Sequence, residues 1–425
     1  STILASVAAG NPERSHTNGG TDWPWRKFHM LAKRHLRLLK DLVNLPTAPF
    51  VEVGVIDYIR RFAARRPALK LSADRFGNLR IRYTPKRSGP RVARPILFAA
   101  HMDHPGFCAT KMIDRQHVRA DWRGWVMGTY FMNEKVKFRD NGRWIPGRIV
   151  EVIRQKPTTA AAKRAVASAR SFGAEAPPAA VVVKVKDQVS PGSAGMWGIG
   201  DAVIRGHQIR ARMCDDIAGL AGILCMLDEA CRMNLRTPCH AFFTRAEEVG
   251  FAGALAAVAD KTVPRNTIVV AVECSKAVTG VALGAGPVLR VGDRASVFTP
   301  AATAYCQIVA EQLAAEDKNF KFQRKLMDGG TCESTAYCHY GYEATGICLP
   351  LGNYHNMDTD RKKIGPEFID LRDFENLVKW FVELARSPSK MKFDGTHPGL
   401  GKRLDALLKL HRGRLVKTAD AQLSA

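Results

Sequence analysis

Pro95-Ile96-Leu97-Phe98-Ala99-Ala100-His101-Met102-Asp103 is the stretch on which the reading of this chain turns. A continuous apolar run with no alternation is what a strand covered on both faces needs, and such burial marks a parallel sheet flanked by helices. The run delivers His101 at its C-terminal end, where open parallel sheets hold their ligands.

Working outward, Ala241 to Thr244 and Thr267 to Val272 read as two more buried strands. Glu247-Glu248 follows the first closely and Glu273 the second directly, so these acids are expected at the same sheet edge as His101. Asp216 to Met233 reads as a helix, with Ile217, Leu220, Ile223, Leu224 and Leu227 on one face. Upstream, residues 25–44 and 51–65 carry helical periodicity, and a turn at 74–78 leads into a strand over 79–83. Between about 110 and 210 the helix signals fade, and short β-like runs such as 148–153 and 181–186 alternate with Gly and Pro turns. The expected organisation is an α/β body with a mixed, mainly parallel sheet flanked by helices, over 1–109 and 211–390. It is interrupted by a small β-domain over 110–210 with an Ala-rich excursion at 157–178, and a basic C-terminal tail covers 391–425.

Five separated segments then hold side chains of one chemical kind: His101 with Asp103, Asp215-Asp216, Glu247-Glu248, Glu273 and His355. Two imidazoles with several carboxylates suit a pair of borderline-hard divalent ions better than one structural zinc. Each match alone has a bland rival. A lone histidine is more often a hydrogen-bonded structural residue, Asp215-Asp216 could cap the following helix, and Glu247-Glu248 could be a solvated pair. Their common placement at one sheet edge favours a pocket. His104, His207, His339 and His397 read as surface or structural, and Asp358 and Asp360 are given no role.

Residues 99–107 (AAHMDHPGF), 213–219 (MCDDIAG) and 244–250 (TRAEEVG) together resemble signatures of co-catalytic metallopeptidases, most closely the glutamyl aminopeptidase and tetrahedral aminopeptidase family. The resemblance covers roughly residues 36–386, and the gap between His101 and Asp215 has room for the β-domain which that family inserts there. It implies two divalent metal ions, zinc with cobalt or manganese as alternatives, on His101, Asp215, Glu248, Glu273 and His355, with Asp215 bridging. It also implies Glu247 as general base, Asp103 orienting His101, and Gly330 and Thr331 near the substrate. A water between two divalent cations is acidified while the same cations polarise the scissile carbonyl, and a nearby carboxylate must shuttle the proton. Three departures stand out: Glu273 where Asp is more usual, Cys332-Glu333 where an Asp-Ala pair is common, and no Arg in the segment Leu351 to Tyr354 before His355.

The chain has 425 residues, 46% of them hydrophobic, enough for a large core and two domains. Its 64 Lys and Arg against 40 Asp and Glu leave a formal charge of +24. These bases are spread along the chain with no nucleic-acid-binding motif, so no nucleic-acid partner is expected. The ten cysteines form no C-x-x-C pair and no apolar run spans a bilayer, so reduced thiols, a cytoplasmic location and no membrane partner are expected. Three functions are weighed: an aminopeptidase acting on peptides, expected as a homo-oligomer; a deacylase of N-acyl amino acids or another amidohydrolase on the same scaffold; and a noncatalytic basic binding protein.

Overall fold

The computed structural model describes residues 32–87, 94–154, 175–387 and 400–423. It opens with α1 (Lys33–Leu42) and α2 (Val53–Ala64), whose buried faces, Leu38, Leu39 and Leu42 and then Val55, Ile59 and Phe62, recur at helical spacing. Residues 25–31 of the expected first helix lie outside the described residues. Strands β1 (Leu69–Ala73), β2 (Leu79–Tyr83) and β3 (Ile96–His101) follow, the last buried at every position.

Six strands then close a barrel: β4 (Gly106–Met112), β5 (His117–Arg123), β6 (Lys135–Asp140), β7 (Arg143–Ile153), β8 (Ala180–Val185) and β9 (Ala194–Trp197). Closure leaves these short strands no free edge. Inward residues alternate with outward ones, and Phe107, Trp122, Phe131 and Trp197 pack mostly edge to face at the centre. Most of the Ala-rich stretch 157–178 lies outside the described residues.

The chain returns through β10 (Val203–Arg205) and β11 (Gln208–Ala211) into α3 (Ile217–Met233), β12 (Cys239–Thr244), α4 (Ala252–Ala259) and β13 (Ile268–Lys276). It continues as β14 (Val288–Asp293), α5 (Pro300–Glu316), β15 (Gln323–Met327), α6 (Glu333–His339) and β16 (Glu343–Leu351). A small hairpin of β17 (Met357–Asp358) and β18 (Lys363–Ile364) precedes β19 (Glu367–Asp370) and α7 (Leu371–Arg386), and the basic C-terminal stretch forms α8 (Leu400–Leu423).

The main sheet has eight strands in the order β1-β2-β12-β3-β13-β16-β14-β15. Its four central strands, β12, β3, β13 and β16, run parallel, with antiparallel pairs towards the edges. This is the mixed, mainly parallel α/β sheet with a small β-barrel inserted after β3. α3 and α7 pack together beside it, and Trp380, Phe381 and Leu384 of α7 are fully buried. One boundary differs from the expectation. Glu273 lies inside β13, because that strand stays paired with β16 as far as Lys276, whereas its ladder with β3 ends at Ala271. Glu273 therefore still stands beyond the end of the β3 ladder. No helix among the described residues is long and apolar enough to cross a membrane.

Candidate metal and active site

The five segments meet at the C-terminal end of the central strands. His101 is the last residue of β3, and Glu247 and Glu248 form the 3-10 turn that follows β12. Glu273 projects from β13, Asp215 stands just before α3, and His355 sits in a 3-10 turn shortly after β16. His101, Asp215 and His355 are each at most 3% exposed.

Asp215 is the centre of the arrangement. His101 Nε2 lies 3.6 Å from Asp215 Oδ1 and 3.6 Å from Glu273 Oε2. His355 Nε2 lies 3.7 Å from Asp215 Oδ2 and 3.3 Å from Glu248 Oε2. Most of these separations are too long for hydrogen bonds. They match the ligand-to-ligand edge of a tetrahedral site with bonds of about 2.0–2.1 Å, which is roughly 3.4 Å. Two triads, His101 with Asp215 and Glu273, and His355 with Asp215 and Glu248, could each hold an ion, and they share Asp215 through its two different oxygens. Asp215 Oδ1 and Glu248 Oε1 are buried without a hydrogen-bond partner among the described residues, as atoms reserved for a ligand would be. The donor set thus fits two divalent ions.

Both imidazoles are fixed from behind. His101 Nδ1 lies 3.0 Å from the Asp103 carbonyl, and His355 Nδ1 lies 2.6 Å from the carbonyl of Trp125 in the barrel domain. A ring that donates from Nδ1 presents a bare Nε2 to the site. The Asp103 carboxylate stands 3.6 Å from His101 Nδ1, and its two oxygens accept the backbone N–H groups of Glu247 and Glu248 at 3.0 and 3.1 Å. It therefore ties the β3 segment to the Glu247-Glu248 turn.

Two further carboxylates, neither singled out from the sequence, do the same elsewhere. Glu52, fully buried, accepts from the Ala246 N–H and from Arg245, holding the approach to that turn. Glu367, also fully buried, accepts from the N–H groups of Cys214 and Asp215, and the nearby backbone of His355 and Asn356 partly offsets the effect of burial on its carboxyl. It clamps the segments of Asp215 and His355 together. The signal in the sequence was a single acid in the otherwise uncharged run Gly365 to Ile369. His104 is structural as expected, its ring lying between the Asp215 carbonyl at 2.7 Å and Asn356 Oδ1 at 3.1 Å. Asp216 precedes α3 but makes no capping hydrogen bond with its side chain.

Burial dominates the electrostatics. It pushes the Asp215 carboxyl up to about 7 and holds Asp216, Glu247 and Glu248 well above the usual carboxylate range. His355 is depressed to about 3, first by burial and then by the nearby His104. For His101 burial acts in the same direction, but the surrounding acids, Glu247 foremost, outweigh it and raise the ring well above its ordinary value. Glu333, which the sequence marked only as a departure, is 1% exposed beside Thr244 and raised by burial to about 8.

A cleft opens on this centre, with Gly330, Thr331, Lys276 and Arg290 in its wall. Arg290 is 3% exposed, donates to Ser275 Oγ at 3.0 Å, and leaves its Nε without a hydrogen-bond partner among the described residues.

Solved structures share this architecture. The TET1 peptidase of Pyrococcus horikoshii, described as assembling into a tetrahedron or a large octahedral shell, is 20% identical with a TM-score of 0.64, over 83% of this chain and 99% of that one. An aminopeptidase of the archaeon Desulfurococcus kamchatkensis is 21% identical with a TM-score of 0.64, over 84% and 95%. A Thermotoga maritima protein described as an endoglucanase is 19% identical with a TM-score of 0.57, over 82% and 96%. At these identities the likeness shows the fold. Among curated proteins the comparison finds no match. The family model of the M42 glutamyl aminopeptidases matches residues 77–379, and the chain accordingly belongs to that family of peptide hydrolases.

Proposed function

We propose that this chain is a dinuclear metal-dependent aminopeptidase that removes N-terminal residues from peptides. The observation that carries the reading is the division of the Asp215 oxygens between His101 with Glu273 and His355 with Glu248. Zinc is the ion best suited to this nitrogen and carboxylate set, with cobalt or manganese as alternatives. Two such ions supply an acidified water and polarise the scissile carbonyl. Glu247, whose Oε2 lies 3.8 Å from His101 Nε2, takes the proton from the attacking water and returns it to the leaving amine. Asp103 positions His101 through its carbonyl and the Glu247-Glu248 turn through its carboxylate. Gly330 and Thr331 would line the substrate's path, and Arg290 would favour an acidic first residue. The ten free cysteines support a reducing cytoplasm, and the shells described for the TET1 neighbour support a homo-oligomer.

The test is metal content per chain together with hydrolysis of glutamyl-, leucyl- and N-acetylglutamyl-p-nitroanilides. Two metals, with the free-amine glutamyl substrate preferred, are expected. Equal or better cleavage of the acetylated substrate would move the assignment to the deacylase, and absence of metal after reconstitution to the binding protein. Removing the Glu367 carboxylate should act through the metal ligands it holds. Glu367→Ala is expected to weaken metal binding by about 10–100-fold. Full activity of this variant at limiting metal would show that the clamp is dispensable.

A further inference from the structure

A second cavity lies at the far end of the two N-terminal helices. The end of α1 and the start of α2 adjoin the acidic centre, where Thr47 Oγ1 donates to the Met102 carbonyl at 2.8 Å and Glu52 accepts from Ala246. The ten residues of α1 and twelve of α2 span about 15–18 Å, so the start of α1 and the end of α2 lie well away from it. A groove of about 420 Å³ runs along both helices to these ends, walled by Arg34, Arg37, Arg61, Arg65 and Arg66, with the mostly buried Leu38 and Phe62 beneath. Spacings of three and four residues put these arginines on facing sides of two helices, whereas a solvated helix face needs no such convergence.

The five arginines are not equivalent. Arg34 and Arg66 both reach Asp228, at 3.1 and 2.6 Å, and the Arg66 guanidinium lies 3.7 Å over the Phe62 ring. Those two are neutralised and held. Arg37, Arg61 and Arg65 are exposed and have no carboxylate partner among the described residues, and Asp41 is the one acid lining the groove. The sequence beside α1 brings no surplus of acid, since residues 1–31 carry Glu13 and Asp22 against Arg14, Arg26 and Lys27.

We infer that this groove binds a ligand carrying two or more linked phosphate groups. Guanidinium forks match phosphate oxygens in pairs and keep their charge at every working pH. The volume falls within the range of small-molecule sites, and the part-exposed Tyr58 ring offers a surface on which a nucleoside could rest. Burial pushes the Tyr58 hydroxyl up to about 12, so it remains a donor.

Calorimetric titration of the full-length, assembled protein with inorganic tripolyphosphate and with ATP at low ionic strength tests this. Saturable binding of one ligand per chain is expected, weakened about tenfold or more by Arg37→Glu with Arg61→Glu, with peptide hydrolysis unchanged. A charge-matched pair elsewhere, Arg205→Glu with Lys363→Glu, should change it by less than about twofold. Binding of both ligands identifies the phosphate chain as the determinant, and binding of ATP alone identifies a nucleotide. Unsaturable binding, equal weakening in the control pair, or equal affinity for a hexaglutamate peptide overturns the inference. Arg37→Gln with Arg61→Gln, checked by circular dichroism, serves if charge reversal disturbs folding.

Discussion

Glu247→Gln is expected to lower kcat by about 10²–10⁴-fold while metal content, fold and KM change little. Glutamine keeps the shape of the side chain. The turn is anchored through the backbone N–H groups of Glu247 and Glu248 on Asp103, and neither bond depends on the Glu247 carboxyl. What disappears is an oxygen able to accept a proton beside the reacting centre. The neighbouring residue provides the contrast. Glu248 Oε2 lies 3.3 Å from His355 Nε2 in one of the two candidate ion sites, so Glu248→Gln should lose metal as well as activity. Metal analysis and steady-state kinetics on both variants separate base from ligand. If Glu247→Gln loses a metal, or retains more than about a tenth of native kcat, another group carries the proton.

Why both glutamates of the Glu247-Glu248 pair could be read from the sequence, and the roles of Glu52, Glu333 and Glu367 could not, follows from how each is held. His101, Glu247 and Glu248 sit at or just beyond the ends of apolar strands and Glu273 directly follows the apolar run Ile268 to Val272 within β13, and such a buried run is legible without knowing its neighbours. The parallel centre of the sheet followed from the same runs. Glu52 and Glu333 stand at the starts of helices and Glu367 at the start of the short strand β19, where the local pattern says nothing about burial, and they meet the site only through tertiary packing. Glu367 owes its place to the backbone N–H groups of Cys214 and Asp215, about 150 residues earlier in the chain, a relation no local period encodes. The Trp125 carbonyl is a plainer case, since a backbone acceptor carries no residue-type signal at all. The same limit hid the arginine groove, where the charge was visible but its convergence was set by the packing of α1 against its neighbours.

Chelation of the metal-loaded protein is expected to abolish activity and to lower the melting temperature by an amount that grows as pH rises from about 6.5 to 8. In the metal-free fold, burial raises Asp215 to about 7 and Glu333 and Glu367 to about 8, and holds Asp216, Glu247 and Glu248 well above the usual carboxylate range. His101 is raised as well. Unfolded, the carboxyls titrate near 4 and the imidazole near 6.5. Across this window the folded chain therefore binds more protons than the unfolded one, and its stability falls as pH rises. His355, depressed to about 3, acts in the opposite sense only below about 6.5, where the unfolded ring gains its proton. Divalent cations need the deprotonated donors, so they replace those protons and bind more tightly as pH rises, stabilising the folded state by mass action. Thermal unfolding with and without chelator, at pH 6.5, 7.25 and 8, should show a gap that widens by several degrees, with zinc, cobalt or manganese restoring both stability and activity. A gap that stays constant or narrows with rising pH would mean that protons and cations do not compete for these carboxylates, and the paired-ion reading of Asp215 would fall with it.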